Sequence, residues 1–409
     1  MSKRLTRRNF LTQGAAIGCS VAASPLLTPV SFAAAPTDNR LVVIVLRGGL
    51  DGLDLLRPRQ EALLPVLRPS LSAGNKGEIP LEGGFGLHPE CAPLYPLWQA
   101  GQLAFVNAVS TPYRDKRSHF DGQDLLEAGI ASIEGDGVRD GWLNRAIGGM
   151  KGVDVRTAYA IGAEPMLLSR GDAEITSWSP DVDFILSQQG VSLMQNTLRG
   201  DPEMSAAMAT AMGLASQSGG GALDSADLEE AMDMMMNPTG KSARRAHVRV
   251  AEFAADRLRE DARIACFSLG GWDTHFRQSN TLRAPLRRLV DTLLTLHNRM
   301  GAAAWQRTTV VAVTEFGRTA AENGTKGTDH GTGGAMVLAG GALRKSGVLG
   351  QWPGMDEAAL YERRDLMPTD DVRRWMGWAL RSSFGLERSV LETEVFPGID
   401  LGDDPRLLA

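Results

Sequence analysis

Residues 308–341, TTVVAVTEFGRTAAENGTKGTDHGTGGAMVLAGG, constrain this chain more than any other stretch, because two apolar runs flank a polar loop dense in Gly, Glu, Asp and His. Thr309 to Val313 is β-branched and apolar on both faces, the pattern of a central parallel strand covered by helices. It ends in Thr314-Glu315-Phe316-Gly317-Arg318. A carboxylate there stands where open α/β sheets place their ligands, beyond the carboxyl ends of the strands. Asp329-His330 follows a Gly-rich turn and precedes a second run, Ala335 to Ala339, so the loop returns these two residues to the neighbourhood of Glu315.

The same pattern recurs along the chain. Leu41 to Leu46 reads as a buried first strand that breaks at Arg47-Gly48-Gly49-Leu50-Asp51-Gly52, a loop without the glycine spacing of a dinucleotide site. His88-Pro89 opens a helix to about Ala100, with His88 as its start rather than a ligand. Leu103 to Val109 is the second strand, Thr157 to Ile161 the third and Arg263 to Leu269 the fourth. Ser118 is placed to cap a helix over about 119–128 that ends at Gly129. A second helix starts at Gly141-Trp142, a long one covers about 279–300, and another covers 369–384. Residues 57–86, rich in Pro and Gly, read as irregular. The alternation predicts an α/β fold with a mostly parallel central sheet and helices on both faces. Residues 172–260, rich in Met and Ala, read as a helical insertion or lid, in which Met232 to Met236 reads as gap-filling core.

Residues 1–35 carry Arg7-Arg8 followed by Phe10-Leu11, a weakly apolar run and an Ala cluster before Pro36. That order is the order of a twin-arginine secretory leader, leaving 36–409 as the α/β domain. The expectation is a periplasmic or secreted protein that engages the twin-arginine export machinery. The net charge is −5 and the first 35 residues hold four cations and no acid, so the remainder is more acidic still and unsuited to nucleic acid. Of three cysteines, Cys19 lies in the leader, which leaves Cys91 and Cys266 and no disulfide framework. No run is long and apolar enough to span a membrane.

Polar residues at the proposed strand ends are Asp51, Ser118, His119, Asp121, Asp273, His275, Glu315, Asp329 and His330. Oxygen and imidazole ligands without thiolates suit divalent ions, and two clusters of them suit a pair of ions that clamps a phosphoryl or sulfuryl oxygen. Asp273 and His275, two apart, leave an extended strand on one face. His247 and His297, on helices, are left out of the site.

Several stretches together resemble the bacterial proteins grouped as domain of unknown function 1501, within the alkaline-phosphatase and sulfatase-like fold. They are the twin-arginine leader, Leu46 to Leu53, Leu87-His88-Pro89, Ser118 to Asp124, Gly141 to Arg145, Trp272 to His275, Glu315 to Thr319, Thr328 to Gly331 and Trp352-Pro353-Gly354. The resemblance covers essentially the whole chain. It implies hydrolysis of a phosphate or sulfate ester, from a small-molecule, glycan or lipid substrate, with a divalent metal of up to two ions drawn from Zn, Mn, Ca and Mg. It carries over Asp51, Asp273, His275, Glu315 and His330 as ligands, with Asp329 a further ligand or an orienter of His330. Ser118 or His119 matches the nucleophile position, and Arg318, or Arg114 and Arg117, is the candidate oxyanion clamp. The chain departs from the superfamily pattern in having Asp-x-His at 273–275 and Glu315-Phe316 in place of Asp-His, and it lacks a sulfatase signature. The competing expectation is a non-catalytic exported binding or assembly protein that keeps the fold.

Overall fold

The computed structural model describes residues 37–74, 77–114, 117–133, 140–154, 156–162, 165–179 and 246–408. The predicted leader and the greater part of the predicted insertion lie outside the described residues.

Counting only strands of the main sheet, β1 is Arg40–Arg47, β2 Leu103–Ser110, β3 Ala158–Ile161, β4 Thr176–Trp178 and β5 Ile264–Gly270. β6 is Thr308–Val313, β7 Gly334–Ala339, β8 Gly347–Leu349 and β9 Asp370–Asp371. The spatial order is β8-β2-β7-β6-β1-β5-β3-β4, with β9 also paired to β2. β1 lies at the centre and pairs parallel with β5 on one side and β6 on the other, so the β5-to-β6 crossover passes over it. Its six apolar residues divide by the strand period of two. Val42, Ile44 and Leu46 enter one core and Leu41, Val43 and Val45 the other.

Each core is roofed by helices. On the first face are α3, Ala246–Arg259, and α4, Arg283–Trp305, which bury Ala251, Phe253, Leu258, Leu286, Leu289 and Leu293. On the second are α2, Trp142–Gly148, and α5, Val372–Phe384, with Trp142, Leu143, Trp375, Met376 and Leu380. The predicted α/β fold with helices on both faces is therefore observed. The helix α1, His119–Ala128, begins at Ser118, whose hydroxyl accepts from Asp121 N, and ends at Gly129 with φ 67°. That left-handed end is a conformation glycine adopts at little cost.

Four elements differ from the sequence reading. β7 runs antiparallel to both β6 and β2. The segment from Thr314 to Gly333 therefore leaves and re-enters the sheet at one rim, and β2, antiparallel to β7, opens its own carboxyl end there too. Residues 57–86 are less irregular than their Pro and Gly content implies, since Leu56–Pro58, Ile79–Pro80 and Phe85–Leu87 form a small antiparallel ribbon. The helix after His88 is a 3-10 turn, Pro89–Leu94, before a short α-turn, Tyr95–Gln99; Pro93 and Pro96 lack the N–H that a continuous α-helix uses. Within 172–260, Thr176–Trp178 is a sheet strand and Ala246–Arg259 a core helix, so both belong to the main body.

No helix among the described residues is long and apolar enough to cross a membrane.

Candidate metal centre

The carboxyl ends of β1, β2, β5 and β6 open on one rim, and the side chains that follow them interlock. Glu315, two residues past β6 and fully buried, takes hydrogen bonds on Oε1 from Gly48 N at 2.8 Å, from Gln123 Nε2 at 3.1 Å and from His119 Nδ1 at 2.8 Å. Its other oxygen accepts from Thr314 Oγ1 at 2.9 Å. Burial pushes the Glu315 carboxyl up, but the hydrogen bonds from His119, Gln123 and Thr314 outweigh it and leave its pKa below the ordinary carboxylate value.

Three imidazoles meet at one oxygen. His275 Nε2 lies 2.9 Å from Asp273 Oδ1, His330 Nε2 3.3 Å and His119 Nε2 3.5 Å. His275 Nε2 and His330 Nε2 are themselves 2.9 Å apart. The far nitrogen of each ring has its own acceptor: Glu315 Oε1 for His119, Asp329 Oδ1 at 3.2 Å for His275, and the Arg117 carbonyl at 2.9 Å for His330. A carboxylate or a carbonyl can only accept, so Nδ1 is the donor in all three rings. In the neutral form each ring then turns a bare Nε2 lone pair inward. Phe316, itself buried, packs beside His119 and His330 at centroid distances of 5.1 and 4.9 Å and limits their rotation.

The electrostatics of this group are uneven. The hydrogen bond to Glu315 raises the pKa of His119, against burial, whereas burial lowers that of His330. Burial works against the Asp273 carboxylate too, but the hydrogen bond and charge of Arg318 outweigh it, and its pKa falls to about 2.

Arg318 has a different place from the one its sequence position implies. Its side chain is fully buried and donates to the carbonyls of Gly48, Gly49, Trp272 and Thr328 and to Asp273 Oδ1, the last at 2.7 Å. With its donors engaged by protein, it is a tie between loops rather than a clamp open to a tetrahedral oxyanion. Arg114 is similarly engaged by Ser110 Oγ and by the carbonyls of Thr111 and Tyr113, and Arg117 reaches the site through its carbonyl.

Asp51 also stands apart from the converging set. It caps the short helix Gly52–Leu55 and is held by Arg68 Nη1 at 2.7 Å and Gln278 Nε2 at 2.6 Å. Both Asp51 and Arg68 are 1% exposed. An internal guanidinium therefore sits on the carboxylate that the sequence reading offered to a metal. Glu315 and Asp329, offered as ligands, touch the imidazoles from behind. Ser118 serves as a helix cap, and its neighbour His119 carries the atom that reaches Asp273. His88 caps the turn at Pro89, accepting from Glu90 N at 3.1 Å. His247 pairs with Asp291 across α3 and α4, and His297 lies against Trp305, both on helices outside the site.

The residues present fit a cation. His119, Asp273 and His330 offer ligand atoms that all lie within 4.8 Å of one another. His119 Nε2 is buried without a hydrogen-bond partner, a condition costly for a neutral imidazole nitrogen unless a cation satisfies it. Two lone pairs 2.9 Å apart, on His275 and His330, repel for the same reason. Three nitrogens and one carboxylate oxygen, each ring backed by an acceptor, is the donor set of Zn, Mn and similar divalent ions.

Sequence reasoning missed Arg68, Gln123, Gln278, Thr328 and the Gly48 amide. Only Gln123 had a readable signal, since it lies four residues after His119 and so on the same face of α1.

The family described as Protein of unknown function (DUF1501) matches residues 105–383. No curated protein matches the chain by sequence. Among solved structures, a mutant TAB5 alkaline phosphatase with Mg bound is similar at 12% identity and a TM-score of 0.36, over 77% of this chain and 94% of that one.

Proposed function

We propose that this chain, which belongs to the family of proteins of unknown function DUF1501, is an exported metal-dependent hydrolase of phosphate or sulfate esters built on one tightly held divalent cation. The observation that carries this reading is the orientation of three rings: His119, His275 and His330 all direct Nε2 at Asp273 Oδ1, and all three have Nδ1 held by an acceptor. The proposed ligands are therefore His119, Asp273, His275 and His330, with Glu315, Asp329 and the Arg117 carbonyl fixing the rings from behind.

A divalent ion held there supplies Lewis acidity toward an anionic ester oxygen and lowers the pKa of water. The chain's own residues do the rest. Glu315 keeps the His119 ring in one tautomer and one orientation, with Nδ1 as donor and the Nε2 lone pair free to face the ion. Arg318 fixes Asp273 by a 2.7 Å bond to Oδ1 and anchors the loops after β1 and β5 to each other. Arg68 places a permanent positive charge on Asp51, the acid that stands apart from the converging set, which is the reason for proposing one ion and not two.

The engagement of Arg318 and Arg114 by protein acceptors favours a second reading, a non-catalytic periplasmic protein in which the ion is structural. Elemental analysis of the purified chain, followed by a screen of phosphomonoesters, phosphodiesters and sulfate esters, separates the two. The hydrolase requires one ion per chain and a turnover that His330→Ala and His275→Ala abolish. A bound ion with no turnover supports the second reading, and no bound ion sinks both. Export through the twin-arginine route is part of the proposal and rests on residues 1–35; fusing them to a folded reporter tests it.

A further inference from the structure

Only three large apolar side chains are prominently exposed among the described residues: Val66, Phe120 and Phe276. Two of these directly follow a proposed ligand. Phe120, 83% exposed, succeeds His119, and Phe276, 53% exposed, succeeds His275. Consecutive Cα atoms are about 3.8 Å apart, so the backbone that carries each ring adjoins the backbone that carries a proposed ligand. Scattered exposed apolar residues need no explanation, but a coincidence of this kind with a polar site does.

The cations on the same segments point the same way. Arg117, Arg277 and Lys326 are exposed, and they have φ of 55°, 45° and 60°. Side chains with a Cβ rarely adopt that left-handed region, and residues held there gather at functional sites. Arg117 gives its carbonyl to His330, Arg277 lies over the Phe276 ring at 4.9 Å, and the Lys326 carbonyl receives Gln278 N at 2.9 Å. These three of the five positive-φ cations among the described residues are thus built into segments that carry the centre or abut it. Exposed aromatic rings together with arginine and lysine on the segments around a proposed metal centre complement a ligand that is anionic at one end and apolar at the other.

Resting on the hydrolase reading above, we infer that the substrate is an amphiphilic ester, in which the phosphoryl or sulfuryl group enters the centre and an apolar group, aryl or acyl, lies across Phe120 and Phe276. The test uses non-hydrolysable anions on the full chain loaded with Zn, titrated by calorimetry with methylphosphonate, phenylphosphonate and octylphosphonate. The expected result is that phenyl- or octylphosphonate, or both, bind at least about tenfold more tightly than methylphosphonate, the size of effect that burying a few methylene equivalents gives. In the Phe120→Ala/Phe276→Ala protein that ratio is expected to fall to within about twofold, with circular dichroism and metal content as checks that the fold and centre persist. Which of the two longer ligands gains more separates an aryl from an acyl group. Equal binding of all three anions overturns the inference and leaves the hydrolase reading standing. Binding of none of them overturns both.

Discussion

Arg68 and Asp51 form an ion pair of 2.7 Å in which each side chain is 1% exposed. The guanidinium also donates to the carbonyls of Ala320 and Thr319, and the carboxylate also receives Gln278, so neither charge depends on water for a partner. The pair joins the segment before the small ribbon to the loop that carries Asp329 and His330.

Removing one partner leaves the other charged and dry. Arg68→Ala or Asp51→Ala is expected to destabilise the fold by about 3–5 kcal/mol, read as a lower denaturant midpoint. Because Asp51 is not among the proposed ligands, the surviving folded fraction of Asp51→Ala should bind its ion as the wild type does. Loss of the ion together with little loss of stability would return Asp51 to the ligand set.

The proposed ligands behave in the opposite way. His330→Ala or His119→Ala is expected to lose the ion on dialysis, while the metal-free variant unfolds within about 1 kcal/mol of the metal-free wild type, since each ring is partly exposed. Glu315→Gln keeps the ligands and an amide oxygen behind His119 but takes away the negative charge there, and a loss of about 10–100-fold in ion affinity is expected. Competition with a chromogenic chelator measures all three.

Gly48 has φ +122°, and a Cβ there would lie 2.6 Å from the backbone nitrogen of Asp273. Its amide also donates to Glu315. Gly48→Ala should therefore strain the backbone by about 1–3 kcal/mol and move Asp273 as well, lowering the melting temperature and the ion affinity together. A variant that lost neither would show that the loops after β1 and β5 have room to separate.

Burial pushes the thiols of Cys91 and Cys266 up to about 12, and both are free. At pH 8 they are expected to resist a maleimide in the folded protein and to react fully in denaturant, because the thiolate is the reactive species. With Cys19 changed to Ser, mass spectrometry should find no adduct on the native chain. Rapid labelling of either thiol would mean that one face of the sheet is open.

The strands were legible because each central one is a run of β-branched or other apolar residues, and Leu41 to Leu46 and Thr309 to Val313 each meet a glycine or an acid two residues past their end. The direction of β7 was not legible, since a run buried on both faces looks alike whichever way it points. The gathering of Asp273, His275, Glu315, Asp329 and His330 on one rim could be inferred from strand ends alone. Their division into inner and outer partners could not, because whether Asp329 faces a cation or a ring nitrogen is set by distances of an ångström or two. Arg68 was hidden for another reason: it lies in a stretch rich in Pro and Gly, and nothing local announces that its guanidinium lies against a carboxylate 17 residues earlier.

Arg318 ties three stretches of backbone and one carboxylate into a single knot. A guanidinium, unlike a metal, cannot diffuse away, so this part of the scaffold is assembled as soon as the polypeptide folds. The apo protein should therefore already be native in shape, with its nitrogens arrayed and waiting. For the proposed centre, folding and loading are then separable events, and the second can wait on the first.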